Sequence, residues 1–85
     1  MFIPIAINHS LDNNYAVLFP TLPGCNSMGN TINEAIENAI EAAQGYIEIM
    51  FEDGLEIEEP IYNIHELMLY KEYNDCVWKI INLEE

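Results

Sequence analysis

The sequence predicts an α+β domain in which a three- to four-stranded antiparallel sheet carries one long helix packed on one face, in the order β-β-β-α, short helix, β. Three observations carry this reading. Short β-branched runs separated by turn residues open the chain, a three-and-four apolar rhythm runs from Thr31 to Asp53, and a last alternating run lies near the end. Strands grouped ahead of a helix, without strict alternation, are the mark of the α+β class. With 85 residues the chain is read as a single domain, 1–85. A domain of this size hides only about 60–65% of the surface that its unfolded form exposes.

Phe2 to Ile7 and Tyr15 to Phe19 are the first two strands, joined as a hairpin through the turn-forming Asp12-Asn13-Asn14. Phe19-Pro20-Thr21-Leu22-Pro23-Gly24-Cys25 then makes a rigid corner. Pro20 and Pro23 each fix φ near −65° and remove a ladder donor, and Gly24 admits a backbone conformation closed to other residues. A short third strand is expected around Cys25 to Met28, interrupted by Gly29-Asn30, so that the three strands form a meander.

Thr31 and Glu34 have the spacing of a capping box, the threonine oxygen accepting from the Glu34 amide while the carboxylate returns to the Thr31 amide. Ile32, Ala35, Ile36, Ala39, Ile40, Ala43, Tyr46, Ile47 and Met50 share the apolar face of the helix. Glu34, Glu37, Glu41, Gln44, Glu48 and Glu52 form the opposite stripe, a spacing of like charges that is slightly destabilising. Gly45 costs about 1 kcal/mol against alanine, and the expectation is that a backbone or bulky ring approaches it closely. Gly54 is placed to end the helix in a left-handed conformation. Leu55 to Pro60 reads as a connector, Asn63 to Tyr70 as a short helix, and Cys76 to Asn82 as the fourth strand. One helix covers one face of a sheet, so part of the surface supplied by Phe2, Tyr15, Phe19 and Trp78 is expected to face a partner.

Fifteen acidic residues against Lys71 and Lys79 give a formal net charge of −13. Binding a phosphate backbone takes several Lys or Arg contacts, so direct nucleic-acid binding by this chain is not expected. The same field draws in a basic partner. No apolar run reaches the length of a bilayer span and no basic signal head is present, so a cytoplasmic protein is the expectation. Cys25 and Cys76 are expected as free thiols.

Catalytic chemistry finds little support. Two-metal hydrolysis needs converging carboxylates, and the segments Phe2–Ile7, Tyr15–Phe19 and Cys76–Asn82 contain no Asp or Glu. His9 and His65 lack ligand-type neighbours at metal-binding spacing, and no cofactor is expected. A Cys25/His9 nucleophilic pair is conceivable where both lie near strand ends, but no positive group adjoins to activate the thiol.

The run Y-A-V-L-F-P-T-L-P-G-C, a short strand, G-N-T-x-x-E-A and finally E-D-G, together spanning Tyr15 to Gly54, resembles the amino-terminal domain of the HicB antitoxin family. Phe19, Pro20, Leu22, Pro23, Gly24, Cys25, Gly29, Thr31, Glu34 and Gly54 are the motif positions, most of them with folding roles already given. The resemblance implies a partial ribonuclease H-like fold without enzymatic activity. It also implies a partner, a small basic HicA-like ribonuclease that cleaves messenger RNA with a catalytic histidine. The antitoxin would block it by electrostatic and steric masking, as part of a homo-oligomer. Asp12, Glu52, Asp53, Glu56, Glu58 and Glu59, the acids away from the helical stripe and in its last turn, are the candidate contacts on charge density. Relatives often add a carboxy-terminal operator-binding segment, and none is visible in this chain, which is expected either to lack that function or to be a fragment. The competing readings are a residual nuclease on the incomplete ribonuclease H scaffold and a free-standing oligomerisation or ligand-sensing module.

Overall fold

A computed structural model describes residues 1–10, 12–56 and 59–83. Strands β1 (Phe2–His9), β2 (Tyr15–Leu18) and β3 (Asn26–Gly29) precede helix α1 (Ile32–Glu52). Helix α2 (Ile64–Leu67), a 3-10 turn at Lys71–Tyr73 and strand β4 (Val77–Asn82) follow. The sheet is antiparallel throughout, in the order β3-β2-β1-β4. The meander and the α+β layout are those expected; β4 adds to the free side of β1.

Turn chemistry fixes the strand ends. In the first hairpin Asn13 takes φ 62°, a conformation asparagine tolerates better than most residues, and the Ser10 amide donates to the Asn14 carbonyl at 2.8 Å. At the far end, the Leu22 amide donates to Phe19 and the Cys25 amide to Leu22, with Gly24 at φ +84°. Pro23 followed by a positive-φ glycine is the pattern of a type II turn. The β1–β2 register runs from His9↔Tyr15 to Ala6↔Leu18. Carried two residues further it would set Pro4 against Pro20, and neither has an N–H to give, so pairing ends there.

Thr31 caps α1 as expected, its Oγ1 accepting from the Glu34 amide at 3.0 Å. The reciprocal bond differs: Glu34 Oε1 accepts from the Asn30 amide, one residue before the position expected. At the other end the Leu55 amide donates to Met50 and the Gly54 amide to Phe51, with Gly54 at φ +77°. Those two bonds constitute a Schellman motif.

Ala35, Ala39, Ala43 and Ile47 form the buried row of α1, and the helix packs chiefly on β3 and β2. Beneath and beside it lie Ile3, Ile5, Ile7, Val17, Phe19, Leu22, Ile81 and Leu83, all nearly inaccessible. Each such large side chain contributes roughly 1.5–3 kcal/mol by leaving water. The alanines let the helix axis come close, and Gly29 completes the fit: a Cβ there would lie 2.7 Å from Ala35 Cα and 2.8 Å from Glu34 carbonyl carbon. Gly29 is thus the last residue of β3 and the seat of α1, where an interruption of the strand was expected. Gly45 has the opposite standing, since a Cβ there meets nothing within 4 Å and no group approaches it.

Other expectations shift by small amounts. β3 starts at Asn26 and β4 at Val77, one residue later than the sequence pattern suggests in each case. The short helix spans only Ile64–Leu67, capped by Asn63 Oδ1, and the chain then tightens into the 3-10 turn. Of the four aromatics expected to leave surface exposed, Phe19 is buried in the corner, Tyr15 and Trp78 are half-buried, and only Phe2 stands out, at 55% exposure. Tyr15 stacks on His9, centroids 4.6 Å apart, and Trp78 meets Tyr73 edge-on at 5.3 Å.

Two glycine substitutions test this account. Gly29→Ala is expected to destabilise by about 2–3 kcal/mol, because backbone and not a flexible side chain must give way. Gly45→Ala is expected to stabilise by up to about 1 kcal/mol, through helix propensity and a less free unfolded chain. Urea titration followed by circular dichroism measures both.

Candidate functional site

Charge distribution is the feature that distinguishes the described surface. Glu34, Glu37, Glu41, Glu48 and Glu52 are exposed along the outer face of α1, with Gln44 half-buried among them. Asp53, Glu56 and Glu59, also exposed, extend the charge past the helix end. The last turn of α1 contains no basic residue. A helix C-terminus already carries a partial negative charge, so Glu52 and Asp53 oppose the dipole, at a cost of about 0.3–1 kcal/mol for such an exposed group. Ile49, Phe51 and Leu55 lie exposed among these acids at 60%, 54% and 51%. The sequence reading passed over them. Their signal was that Ile49 and Phe51 fall outside the helix's apolar rhythm.

The candidate acids do not form one site. Glu52, Asp53 and Glu56 gather at the C-terminal end of α1, beside a cleft of about 180 Å³ lined by Met1, Leu22, Tyr46, Met50, Glu56 and Pro60. Glu59 is at the same end, where its Oε1 accepts the Phe2 amide at 2.9 Å; it therefore also anchors the connector to β1. Asp12 sits in the β1–β2 hairpin, at the end of the sheet where α1 begins. A 21-residue helix separates the two ends, about 30 Å at 1.5 Å per residue. Glu58 lies outside the described residues.

Among the described residues no three His, Cys, Asp or Glu side chains are grouped so as to hold a metal ion. The Cys25/His9 pair is not assembled. His9 pairs with Tyr15 at the hairpin end, whereas Cys25 follows the opposite end of β2, next to Asn26, which pairs with Leu18. Some four residues of strand, about 13 Å, and a two-strand lateral offset lie between them. Burial also pushes the Cys25 thiol above its ordinary value, the reverse of activation. Burial first, and then the Asp75 carboxylate, push Cys76 in the same direction. Both cysteines are free. No helix among the described residues is long and apolar enough to cross a membrane.

Comparison with known proteins agrees with this architecture. The family of HicB-like antitoxins of bacterial toxin–antitoxin systems matches residues 3–85, and the chain belongs to that family. The N-terminal domain of the Burkholderia pseudomallei antitoxin HicB superposes with a TM-score of 0.88 at 34% identity, covering 100% of both chains. The longer structure of the same antitoxin gives 0.87 over 99% of this chain and 64% of that one. A HicA3 and HicB3 toxin–antitoxin complex contains a chain similar at a TM-score of 0.77 and 25% identity, with 100% of both covered. In sequence, a 14.9 kDa protein from the rep-hol intergenic region of Haemophilus phage HP1 is 36% identical over 85 residues, 99% of this chain and 62% of that protein. A Synechocystis UPF0150 protein is 43% identical over 44 residues, 52% of this chain and 56% of its own length. The chain thus spans about three-fifths of the length of these two relatives.

The raised thiols make a pH prediction. The protonated forms are favoured in the folded state, so their contribution is complete below the ordinary thiol value of 9.0 and is lost as pH climbs through the raised folded values. Unfolding free energy should therefore fall from about pH 8.5 upward. In a Cys25→Ser/Cys76→Ser variant that decline should be shallower, whatever its stability at neutral pH, as urea titrations at a series of pH values would record.

Proposed function

We propose that this chain is the toxin-binding domain of an antitoxin, which captures a small basic HicA-like ribonuclease and blocks it by electrostatic and steric masking without catalysis. Membership of the antitoxin family and the likeness to a chain of a HicA3–HicB3 complex support the reading. The observation that carries it is the acidic C-terminal end of α1. There Glu52, Asp53 and Glu56 stand together against the helix dipole, with no basic residue in the last turn and with Ile49, Phe51 and Leu55 exposed between them. A cationic partner relieves the repulsion and covers the apolar groups, so an arrangement that weakens the free domain strengthens the complex. A ribonuclease surface that grips RNA is positive and matches it. The chain itself binds no nucleic acid in this proposal, and it turns over no substrate.

Mixing the protein with a cognate HicA-like toxin should abolish RNA cleavage, and the affinity should fall as salt rises. Replacing Glu52, Asp53, Glu56 and Glu59 together by their amides should weaken binding at low salt by about tenfold or more and flatten its salt dependence. Asp12→Asn, at the other end of the sheet, should leave both unchanged. Cleavage of RNA by the purified chain, or a toxin fully active in its excess, would overturn the proposal.

A further inference from the structure

Two clefts meet at Thr21, in the corner between β2 and β3. The first is the cleft of about 180 Å³ beside the C-terminal end of α1, with Tyr46, Met50 and Glu56 in its walls. The second, about 220 Å³, lies between the corner and α2 and is lined by Pro20, Tyr62, Asn63, Glu66, Leu67 and Tyr70. Thr21 lines both. Its Oγ1 is shut off from water and, among the described residues, bonds to nothing, although the residue as a whole is partly exposed. A buried polar group without a partner is rare enough to call for a reason, and a binding site is one. A single staggered step of χ1 moves the hydroxyl to the place that the methyl group now holds.

Each cleft offers the same chemistry. An exposed carboxylate, Glu56 in the first and Glu66 in the second, shares the wall with tyrosine rings, Tyr46 in the first and Tyr62 and Tyr70 in the second. No lysine or histidine lines either. Met1 borders the first, but its amino group donates to Asn82 Oδ1 and the Leu83 carbonyl. A guanidinium or ammonium group pairs with a carboxylate and lies on tyrosine faces, while its hydrocarbon stem covers apolar surface. Leu22 and Met50 supply that surface in the first cleft, Leu67 and the exposed Ile61 in the second. A cavity of about 150 Å³ holds a benzene molecule, so each cleft has room for one long side chain.

We propose that the two clefts are one groove for an extended basic segment of the toxin, with a lysine or arginine side chain in each and the backbone between them paired with the Thr21 hydroxyl. The inference rests on the antitoxin reading and carries it beyond the acids at the helix end, to Thr21, Glu66 and the tyrosines. Alternate residues of an extended chain point the same way, so one segment reaches both clefts. Pro20, Pro23 and Pro60 stiffen the walls, and a groove formed in advance loses little freedom on binding.

Thr21→Val separates this role from a purely structural one, because stability and affinity should move in opposite directions. Removing an unpaired buried hydroxyl is expected to raise the urea midpoint of the free chain, while binding to a cognate HicA-like toxin weakens by about threefold or more. Glu66→Gln should weaken binding by about fivefold or more at low salt, with the circular dichroism spectrum unchanged. Glu37→Gln, on the outer face of α1, should bind as the parent does. Titration calorimetry with the whole chain gives the affinities. If the parent binds the toxin and either Thr21→Val or Glu66→Gln binds it equally well, the groove is overturned and the antitoxin reading stands. A parent chain that leaves the toxin unbound and active overturns both.

Discussion

Everything in this fold depends on how closely α1 lies over β2 and β3. The contact is made of small groups: Ala35, Ala39 and Ala43 on the helix, and Gly29 on the strand that leads into it. Small residues give up side-chain area but let the backbones approach, and the larger Ile3, Ile5, Ile7 and Val17 then fill the space beneath and beside the helix. Because β3 and the helix are joined through Asn30 and Thr31 alone, that fit also sets the direction in which α1 crosses the sheet.

The same closeness leaves one side of the domain uncovered. A helix is about 10 Å across, whereas the outer strands of a four-stranded sheet are about 14 Å apart. Seated on β3 and β2, α1 does not shield the start of β4, so Val77 and Lys79 stay exposed on the face where Ile81 is buried, and the outer backbone of the strand is open. At the helix end the uncovered feature is electrostatic, with acids placed where the dipole disfavours them. The acids at the helix end give up some stability in the isolated chain, and the proposed complex with a positively charged surface would offset that cost.

Much of this was legible residue by residue. Pro20, Pro23 and Gly24 announced the corner because proline and glycine act on the backbone locally, whatever surrounds them. Thr31 and Gly54 marked the ends of α1 for the same reason, and the three-and-four rhythm named its buried face. Judgements that needed a neighbour across space fared less well. Glu34 reaches the Asn30 amide instead of that of Thr31. Gly29, read as an interruption of the strand, proved to be the tight position, and Gly45, read as a place of close approach, the open one. Cys25 and His9 both stand near strand ends, as read, but at opposite ends of the sheet.

Charge count and apolar period are properties of composition and local order, so the sequence by itself determined the class of fold, the long amphipathic helix and the strongly negative surface. Where that charge collects is a property of chain direction in space. Only the tertiary structure separated Asp12 from Glu52, Asp53 and Glu56, tied Glu59 back to β1, and left β4 with an open side. Pairing and packing join residues far apart in the chain, and their geometry is settled by steric fit between surfaces that no local pattern encodes.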